Sequence, residues 1–406
     1  MHVVFVEPAF PRNQREFVRA LHAVGARVTG IGERSVDALD GDLKGWLHRY
    51  EQIPSVTNEP ALLAAVKRAQ AREWVDRLEA TVEAHILPTA KVREACTIPG
   101  TSVRTAFLCR DKPAMKEALR QADVPCAQSL GTSSAAEVRE FARQVGYPLI
   151  LKPRDSAGAA GTHRAGNAQE LEQALRASGV ADGRSVAVEE FIEGHEGFYD
   201  TLTIDGRVVH DFVSHYYPNV LEAMRTRWIS PQVVTTNRVT RENYGEVMAL
   251  GARVIRALGI GTSATHMEWF FGPKGLKFSE IGCRPPGVLV WDLYGAANDM
   301  DLYVEWAKAI VHGGTDVRPS RRFAAGMIAL RPDCDGRISH TDGVEELQRR
   351  HGQWILDMHF PGPGTPTQGV EAGYMANAWV RLKHPDYDGL RAVMDDIGRT
   401  VKVHAR

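Results

Sequence analysis

Cysteine is scarce in this sequence, and long hydrophobic runs are missing. The five cysteines are widely spaced and form no Cys-x-x-Cys pair: Cys96, Cys109, Cys126, Cys283 and Cys334. This spacing argues against a structural zinc site and a disulfide framework, and it favours a reducing compartment. No stretch approaches the roughly 18 uncharged apolar residues of a membrane span. The start, MHVVFVEPAF, lacks the basic segment of a signal peptide. We therefore expect a cytoplasmic protein with no membrane partner.

An excess of positive charge is also missing. The 49 Lys and Arg residues are balanced by 50 Asp and Glu residues, which leaves a net charge of −1. Proteins that bind nucleic acid over a broad surface normally carry a basic excess, so we expect no nucleic-acid partner. What is present is an ordinary globular composition, with 44% hydrophobic residues in a chain of 406. At about 100–200 residues per domain, this length predicts two to four domains.

The first 110 residues alternate short strands with helices. His2–Val6 and Arg27–Gly32 are predicted strands, separated by a predicted helix that ends at Gly25. Further strands are predicted at Glu51–Val56 and His85–Pro88. This βαβ order predicts a parallel sheet, so residues 1–110 are expected to form a Rossmann-like domain. Because no Gly-x-Gly-x-x-Gly follows the first strand, we do not expect dinucleotide binding there.

The rest of the chain divides into three predicted parts. Residues 111–187 combine helices and strands around a glycine-rich stretch. Residues 188–319 contain two hairpin signals, Asp205-Gly206 and Pro273-Lys274-Gly275, which predict an antiparallel sheet. Residues 320–406 repeat the mixture on a smaller scale and are predicted to form a small α/β cap. The predicted fold class is therefore α/β (α+β).

Two lysines stand in settings that suit phosphate binding. Lys112 lies just before a predicted helix, and Lys152 is near the end of the predicted strand Tyr147–Pro153. Small residues follow in the stretch 154–162, and they let backbone N–H groups approach an anion closely. The alternative is a surface lysine followed by a flexible loop, because a glycine-rich loop alone is a weak signal.

Two glutamates accompany the predicted strand Ser185–Ile192. Glu189 lies in this strand, and Glu196 follows it closely. A carboxylate at the end of an apolar strand, beside backbone polar groups, can accept hydrogen bonds from an adenine amine or from ribose hydroxyls. For any single glutamate, a strand end that meets solvent is the alternative.

Glu268 and Glu280 flank the tight turn Pro273–Gly275. If the two strands pair across this turn, both carboxylates lie near each other on one face. Adjacent carboxylates repel, and a hard divalent cation such as magnesium removes that repulsion. Arg284 follows Glu280 closely, where it can hold a transferring phosphoryl group or a developing oxyanion. The alternative is a solvent-facing pair of acids, although large apolar residues surround both.

Taken in this order, the elements resemble the ATP-grasp superfamily over residues 105–290. The matching segments are Arg110-Asp111-Lys112, Lys152 with its Gly-rich loop, Glu189-Glu190-Phe191-Ile192, Gly194-x-Glu196, Glu268, and Glu280-Ile281-Gly282-Cys283-Arg284. The resemblance implies an ATP-grasp fold with an N-terminal Rossmann-like domain and a small C-terminal α/β cap. Within it, residues 111–187 would be the small subdomain and residues 188–319 the large subdomain with the metal site.

The resemblance also implies a role for each matching residue. Lys112 and Lys152 would contact the ATP phosphates, and Glu196 would bind the ribose. The loop over the phosphates would contain Ser156, Gly158, Gly161 and Thr162, and the adenine would lie against Glu189 and the backbone of Phe191 and Ile192. Glu268 and Glu280 would hold Mg²⁺, with Mn²⁺ as an alternative ion. The implied catalytic residues are Arg284, Lys152 and His266.

One departure from the family pattern concerns the metal. Where the family often has Glu-x-Asn, this chain has Glu280-Ile281-Gly282, so one metal ligand is missing and the number of ions stays open. The string Glu-Ile-Gly-Cys-Arg-Pro-Pro-Gly, together with His266, looks most like the branch of carboxylate–amine ligases that joins amino acids. That branch implies an ADP-forming enzyme that activates a small carboxylate as an acyl phosphate and joins it to an amine.

The substrate itself is not specified by these motifs. Candidate substrate residues are His215, Tyr216, Arg225, Arg227, Trp228, His266, Trp291 and Arg331, and for each of them packing or a solvated face is the alternative. Two other functions stay open. One is an enzyme that activates bicarbonate or formate, of the carboxylase or purine-pathway type, and the other is a catalytically decayed nucleotide-binding protein. A homodimer is expected from the family alone.

Overall fold

The computed structural model describes residues 1–153 and 161–406, and it begins with an open parallel sheet. The elements of this part are β1 (His2–Val6), α1 (Gln14–Ala23), β2 (Arg27–Gly32), α2 (Gly41–Trp46), β3 (Arg49–Gln52), α3 (Glu59–Arg72), β4 (Arg77–Glu79), α4 (Glu83–Ala95) and α5 (Val103–Leu108). The strand order is β3-β2-β1-β4, and every pairing is parallel, as the βαβ pattern predicts. Strand β1 is wholly buried because α1 and α3 cover its two faces.

The predicted strand at His85–Pro88 is wrong. These residues lie inside α4, and the fourth strand of the sheet is Arg77–Glu79 instead. A run of four residues is too short for its hydrophobic pattern to distinguish a strand from a helix. The difference matters for the site, because α4 begins at Glu83.

The next part is a sheet of four antiparallel strands with helices packed against it. Its elements are α6 (Lys112–Gln121), β5 (Ser129–Thr132), α7 (Ala135–Val145), β6 (Leu149–Pro153), β7 (His163–Ala165), α8 (Ala168–Ala177) and β8 (Val186–Glu190). The order is β5-β8-β6-β7. Apolar residues of α7 and α8 form one core with the strands, so the opposite face of the sheet is left to line a cavity. Within this sheet Lys152 and Glu189 lie on neighbouring strands.

The large sheet follows, and both predicted hairpins are confirmed in it. Its first elements are β9 (His195–Ile204), β10 (Arg207–Tyr217), α9 (Val220–Ala223), β11 (Gln232–Thr235), α10 (Arg241–Leu258), β12 (Ser263–Gly272), β13 (Gly275–Gly282), α11 (Val290–Asn298) and α12 (Leu302–His312). Strands β9 and β10 pair across Asp205-Gly206, and β12 and β13 pair across the turn that begins at Pro273. The helix α10 packs against β9 and β13 and buries their shared core.

The last part continues the large sheet rather than forming a separate one. Its elements are β14 (Ala324–Leu330), β15 (Ile338–Asp342), α13 (Val344–His351), β16 (Ile355–His359), β17 (Ala378–His384), α14 (Tyr387–Thr400) and β18 (Lys402–Ala405). The eight strands run in the order β13-β12-β9-β10-β11-β14-β17-β16, while β15 pairs with β18 alone. No separate sheet begins at residue 320, because β14, β16 and β17 belong to the same sheet as β9 to β13. The domain boundary at this residue stays a prediction. Of the helices in the described residues, none has the length and apolar composition needed to cross a membrane.

Candidate active site

A cavity of about 450 Å³ lies between the four-stranded antiparallel sheet and the large sheet. Its volume falls in the range of pockets for small molecules and cofactors, which is about 300–1,000 Å³. Charged side chains from both sheets reach it, and so do apolar ones. The charged lining residues are Lys116, Lys152, Arg164, Glu189, Glu190, Glu196, Glu222, Arg225, Glu268 and Glu280. Most of the residues predicted to bind the nucleotide therefore surround one space.

A buried cluster of two lysines and one glutamate forms one wall of the cavity. The carboxylate Oε2 of Glu189 lies 2.8 Å from Nζ of Lys116 and 3.5 Å from Nζ of Lys152. Burial alone would raise the pKa of Glu189, but the two ammonium groups outweigh burial and lower its pKa to about 2. Its other oxygen, Oε1, is buried and has no hydrogen-bond partner among the described residues. This oxygen is therefore available to a ligand.

Lys116 was not identified from the sequence. It lies on the buried face of α6 with Met115 and Leu119, and its side chain is only 2% exposed. Burial lowers the pKa of Lys116, although Glu189 opposes that shift. The signal that was available is a lysine in the apolar stripe of an amphipathic helix, where an unpaired charge is costly.

Phe191 and Ile192 line the cavity just after β8, as the adenine prediction requires. The N–H of Phe191 already donates to the carbonyl of Pro148 at 3.1 Å. Its ring lies under the guanidinium of Arg164, 5.0 Å from the ring centroid. Of the two predicted backbone donors, Ile192 is thus the one left for a purine.

Glu268 and Glu280 stand directly opposite each other on β12 and β13, which confirms the predicted pairing. Both line the cavity. Nζ of Lys112 lies 3.0 Å from Oε2 of Glu280. Burial would raise the pKa of Glu280, but Lys112 and Lys152 outweigh burial and lower its pKa to about 2. Glu280 is therefore a carboxylate at neutral pH and can act as a ligand to a hard cation.

Glu196 adds a third carboxylate to this group. It lies on β9 beside Phe270 of β12, and its Oε2 accepts a hydrogen bond from the N–H of Val220 at 2.7 Å. Burial and the neighbouring charge of Glu268 raise the pKa of Glu196 to about 8. Glu196 thus adds a carboxyl group to the cavity that Glu268 and Glu280 line, and the last two are oxygen donors of the kind that a divalent ion such as Mg²⁺ prefers.

A buried hydrogen-bonded chain supports Glu268 from behind. The hydroxyl of Tyr294 donates to Asp200 at 2.5 Å, and Asp200 lies 2.7 Å from Nδ1 of His266. Nε2 of His266 is 3.6 Å from Oε1 of Glu268. Burial would lower the pKa of His266, but Asp200 outweighs burial and raises its pKa to about 9. The structure thus places His266 as a partner of Glu268.

Two tyrosines continue this series of contacts on from Glu268. The hydroxyl of Tyr216 donates to Oε1 of Glu268 at 3.4 Å, and the ring of Tyr374 stacks on that of Tyr216 with centroids 6.2 Å apart. The Tyr374 hydroxyl is buried and has no hydrogen-bond partner within the described ranges. Tyr374 was not singled out from the sequence, because it lies far from every matching motif.

Arg284 is held by a residue of the N-terminal part. Its Nε donates to Oε2 of Glu83, the first residue of α4, at 2.8 Å. Burial would lower the pKa of Arg284, but Glu83 outweighs burial and raises it. The neighbouring Cys283 lies with its Sγ 2.9 Å from that of Cys109, so the segments before Lys112 and after Glu280 are in contact. Glu83 was not singled out from the sequence; it lies two residues before the strand that was wrongly predicted at His85–Pro88.

The remaining predicted site residues lie in different places. Ser156 and Gly158 lie outside the described residues, and so does most of the predicted loop. Gly161 directly precedes Thr162, which lines the cavity and whose carbonyl accepts from Arg225 at 2.6 Å. Arg331 donates to the carbonyl of Thr226, also at the cavity, at 2.6 Å.

Like Tyr216, His266 and Arg331, the last four substrate candidates are not part of the cavity lining. Trp291 packs in the core between Phe17 and Tyr303, because α11 lies against α1 and α12. Arg227 pairs with Asp335 at 2.5 Å, and His215 hydrogen-bonds to Tyr244 at 2.8 Å. Trp228 is 88% exposed. Their surroundings correspond to the packing or solvated-face alternatives.

Known proteins are similar to this chain in the same part that forms the cavity. Residues 117–296 match the family described as ATP-grasp domain, and they include nearly all of the cavity lining. The crystal structure of an L-amino acid ligase from Bacillus licheniformis aligns with a TM-score of 0.78 at 18% identity, covering 100% of this chain and 98% of that one. At this identity the likeness concerns the fold, and it confirms the predicted ATP-grasp architecture.

Two curated proteins are similar in sequence. An uncharacterized protein of Sinorhizobium fredii, y4rH, is 25% identical over 316 residues, which are 76% of this chain and 64% of that protein. An L-arginine-specific L-amino acid ligase of Bacillus subtilis is 27% identical over 221 residues, which are 52% of each chain. The matched part thus spans between about half and two thirds of the length of these relatives.

Proposed function

Residues 117–296 of this chain form an ATP-grasp domain, and from that premise we propose that the protein is an ATP-dependent carboxylate–amine ligase. The carboxylate would be a free amino acid or a related small acid. The observation that carries the proposal is the opposed pair of Glu268 and Glu280, which share the cavity with Lys152, while Lys112 pairs with Glu280. Carboxylates for a metal ion beside ammonium groups for phosphate are what phosphoryl transfer from ATP requires.

The adenine is assigned to the wall that holds Glu189. Oε1 of Glu189 has no partner among the residues described, and it is kept anionic by Lys116 and Lys152. An anionic oxygen accepts a hydrogen bond from the exocyclic amine of adenine, whereas guanine presents a carbonyl oxygen at that position and would be repelled. The N–H of Ile192 is assigned as the second contact. Lys116 is therefore assigned as the residue that positions Glu189 and so favours adenine over guanine.

The phosphates and the metal ion are assigned to the part of the cavity formed by β12 and β13, where the charge of Lys152 acts on Glu280 as well as on Glu189. Glu268 and Glu280 would hold Mg²⁺, and Gly282 supplies no side-chain ligand, so water or phosphate oxygens would complete the coordination. When bound, the ion neutralises charge on the transferring phosphoryl group. Lys112 and Lys152 add two further positive charges at the same place.

The reaction would then proceed in two displacements. An oxygen of the substrate carboxylate attacks the γ-phosphorus of ATP, the bond to the β–γ bridging oxygen breaks, and ADP leaves. The amine attacks the carbonyl carbon of the acyl phosphate, the C–O bond to phosphate breaks, and the amine nitrogen loses a proton. Arg284, held in place by Glu83, is assigned to the negative charge that develops on the acyl oxygen.

The carboxylate substrate is assigned to the side of the cavity beyond Glu268. Tyr216 touches Glu268, and Tyr374 stacks on Tyr216 with a free buried hydroxyl in the described structure. Arg331 lies close enough to Tyr374 to affect the pKa of the Tyr374 hydroxyl. Nη2 of Arg331 is buried without a partner among the described residues. These unsatisfied donors would recognise the polar groups of a small acid.

Product identification from a pooled amino-acid mixture with ATP and Mg²⁺ tests this proposal. We expect mass spectrometry to detect a dipeptide or amide together with ADP and phosphate in equal amounts. E280Q is the matched control, because it keeps the size of the side chain and removes the metal-binding charge; it should form no product while still folding. ADP formation stimulated by bicarbonate with no amine present would overturn the proposal in favour of a carboxylase-type enzyme. No turnover across a broad panel would favour a binding protein.

A further inference from the structure

The two-stranded sheet formed by β15 and β18 carries histidine and aspartate side chains that are not part of the cavity lining. The strands are antiparallel, with His340 opposite His404 and Asp342 opposite Lys402. Because side chains alternate along a strand, His340, Asp342 and His404 share one face. The ammonium of Lys402 donates to the carbonyl of Gly398 at 3.0 Å, so it is engaged away from this cluster.

The nitrogen and oxygen atoms of the three side chains converge on one point. Oδ2 of Asp342 lies 3.2 Å from Nε2 of His404 and 3.7 Å from Nε2 of His340. One ligand atom from each residue lies within 4.8 Å of the other two. Two ligands bound at about 2.1 Å to a tetrahedral ion lie roughly 3.4 Å apart. The observed separations lie on either side of that value.

Neighbouring groups engage Nδ1 of both imidazoles, whose rings stack with centroids 4.5 Å apart. Asp333 accepts from Nδ1 of His404 at 2.9 Å, and a carboxylate in this position leaves the lone pair of the neutral ring on Nε2. The hydroxyl of Ser339 donates to the carbonyl of His404 and lies 3.0 Å from Nδ1 of His340, so it accepts there and again leaves Nε2 free. Metal-ligating histidines are characteristically held by such second partners.

We propose that His340, Asp342 and His404 form a binding site for a divalent transition-metal ion such as Zn²⁺. Two imidazoles and one carboxylate suit zinc or nickel better than magnesium, which prefers oxygen ligands alone. Water fills the fourth position, because the face is open to solvent: the side chains of His340 and Asp342 are 59% and 63% exposed. The ion ties the last strand of the chain to β15. This proposal does not depend on the ATP-dependent activity.

Equilibrium dialysis of the full chain against ZnCl₂, followed by elemental analysis, tests the proposal. We expect the wild-type protein to retain one zinc equivalent that H340A and H404A each lose. His22 is exposed on α1, so H22A is the matched control and should retain the ion. Because His266, Glu268 and Glu280 also offer nitrogen and oxygen ligands, the double variant E268Q/E280Q must retain the equivalent as well.

Two further variants keep the proposal falsifiable if the alanine variants fold poorly. D342N keeps the shape of a ligand and removes its charge. D333N changes the partner of His404 and keeps an oxygen that can accept from the N–H of Ala405. We expect D333N to weaken zinc affinity by about 10–100-fold, the usual effect of removing such a partner. Co²⁺ bound in place of zinc should give visible absorption bands of tetrahedral coordination in the wild type and not in D342N. Zinc binding that is equal in all these variants, or lost only in E268Q/E280Q, would overturn the proposal.

Discussion

The guanidinium of Arg284 is held in place by Glu83, with Nε donating to Oε2 at 2.8 Å. Arg284 follows strand β13, which carries Glu280, whereas Glu83 opens α4 of the N-terminal part. Arg284, which is assigned to the acyl oxygen, is thus positioned by a residue of the N-terminal part. This charge pair is only partly buried, with side chains 23% and 28% exposed, so its main effect is to fix the orientation of the guanidinium rather than to add stability.

The variant E83Q tests this relationship. It keeps the size of the side chain but loses the charge that orients Arg284, and a misplacement of about 1 Å can cost about 100-fold in rate. We expect kcat for ADP formation to fall by about that factor while KM for ATP changes little. Steady-state kinetics with the substrates found by product identification measures both. E59Q removes an exposed partner of Lys91 and should leave kcat unchanged.

Removal of Lys116 should destabilise the protein. K116M retains a long side chain in the core but leaves the Glu189 carboxylate paired only with the more distant Lys152. Breaking one partner of a buried ion pair costs about 3–5 kcal/mol, so urea unfolding should show a loss of that order. K91M, which breaks the exposed pair with Glu59, should change stability by less than about 1 kcal/mol. Equal effects of the two variants would contradict the burial argument.

The acid stability of the protein should depend on Glu189. Its pKa is lowered from 4.5 to about 2, so its ionised form stabilises the folded state above pH 4.5, and this contribution is lost as pH falls toward 2. We expect the free energy of unfolding of wild type to exceed that of E189Q at pH 6. The difference should shrink steadily between pH 4.5 and 2. Urea titrations at a series of pH values measure it, and a constant difference would show that Glu189 is not the titrating group.

Tyr374 offers a test of the substrate side. Its buried hydroxyl has no partner in the part of the chain that is described. If the hydroxyl binds the carboxylate substrate, Y374F should raise KM for that substrate by about 2- to 10-fold with KM for ATP unchanged, since one hydrogen bond contributes about 0.5–1.5 kcal/mol. If the hydroxyl has no ligand, its removal would be neutral or stabilising. Steady-state kinetics with the identified substrates separates the two outcomes, because only the first one changes the KM for the carboxylate; thermal unfolding without substrate checks that Y374F is folded.

Much of this molecule follows from short-range patterns in its sequence. The βαβ alternation predicted the N-terminal parallel sheet, and the turn at Pro273 predicted that Glu268 and Glu280 face each other. Such predictions succeed because the period of a strand and the geometry of a tight turn determine the register of neighbouring residues. The same reasoning failed at His85–Pro88, where four residues carry too little periodicity.

The tertiary structure alone decided which residues support the site from a distance. Glu83 meets Arg284 across 201 positions of the chain, and no local pattern records such a contact. The position of Lys116 in the apolar stripe of α6 is visible in the sequence, but its partner Glu189 is shown only by the fold. Conversely, packing of α11 placed Trp291 in the core. The sequence by itself indicated the class of chemistry, because residues of particular types follow one another in a fixed order. The positions of the charged residues that support the site, Glu83 and Lys116, depend on long-range packing, which only the folded structure shows.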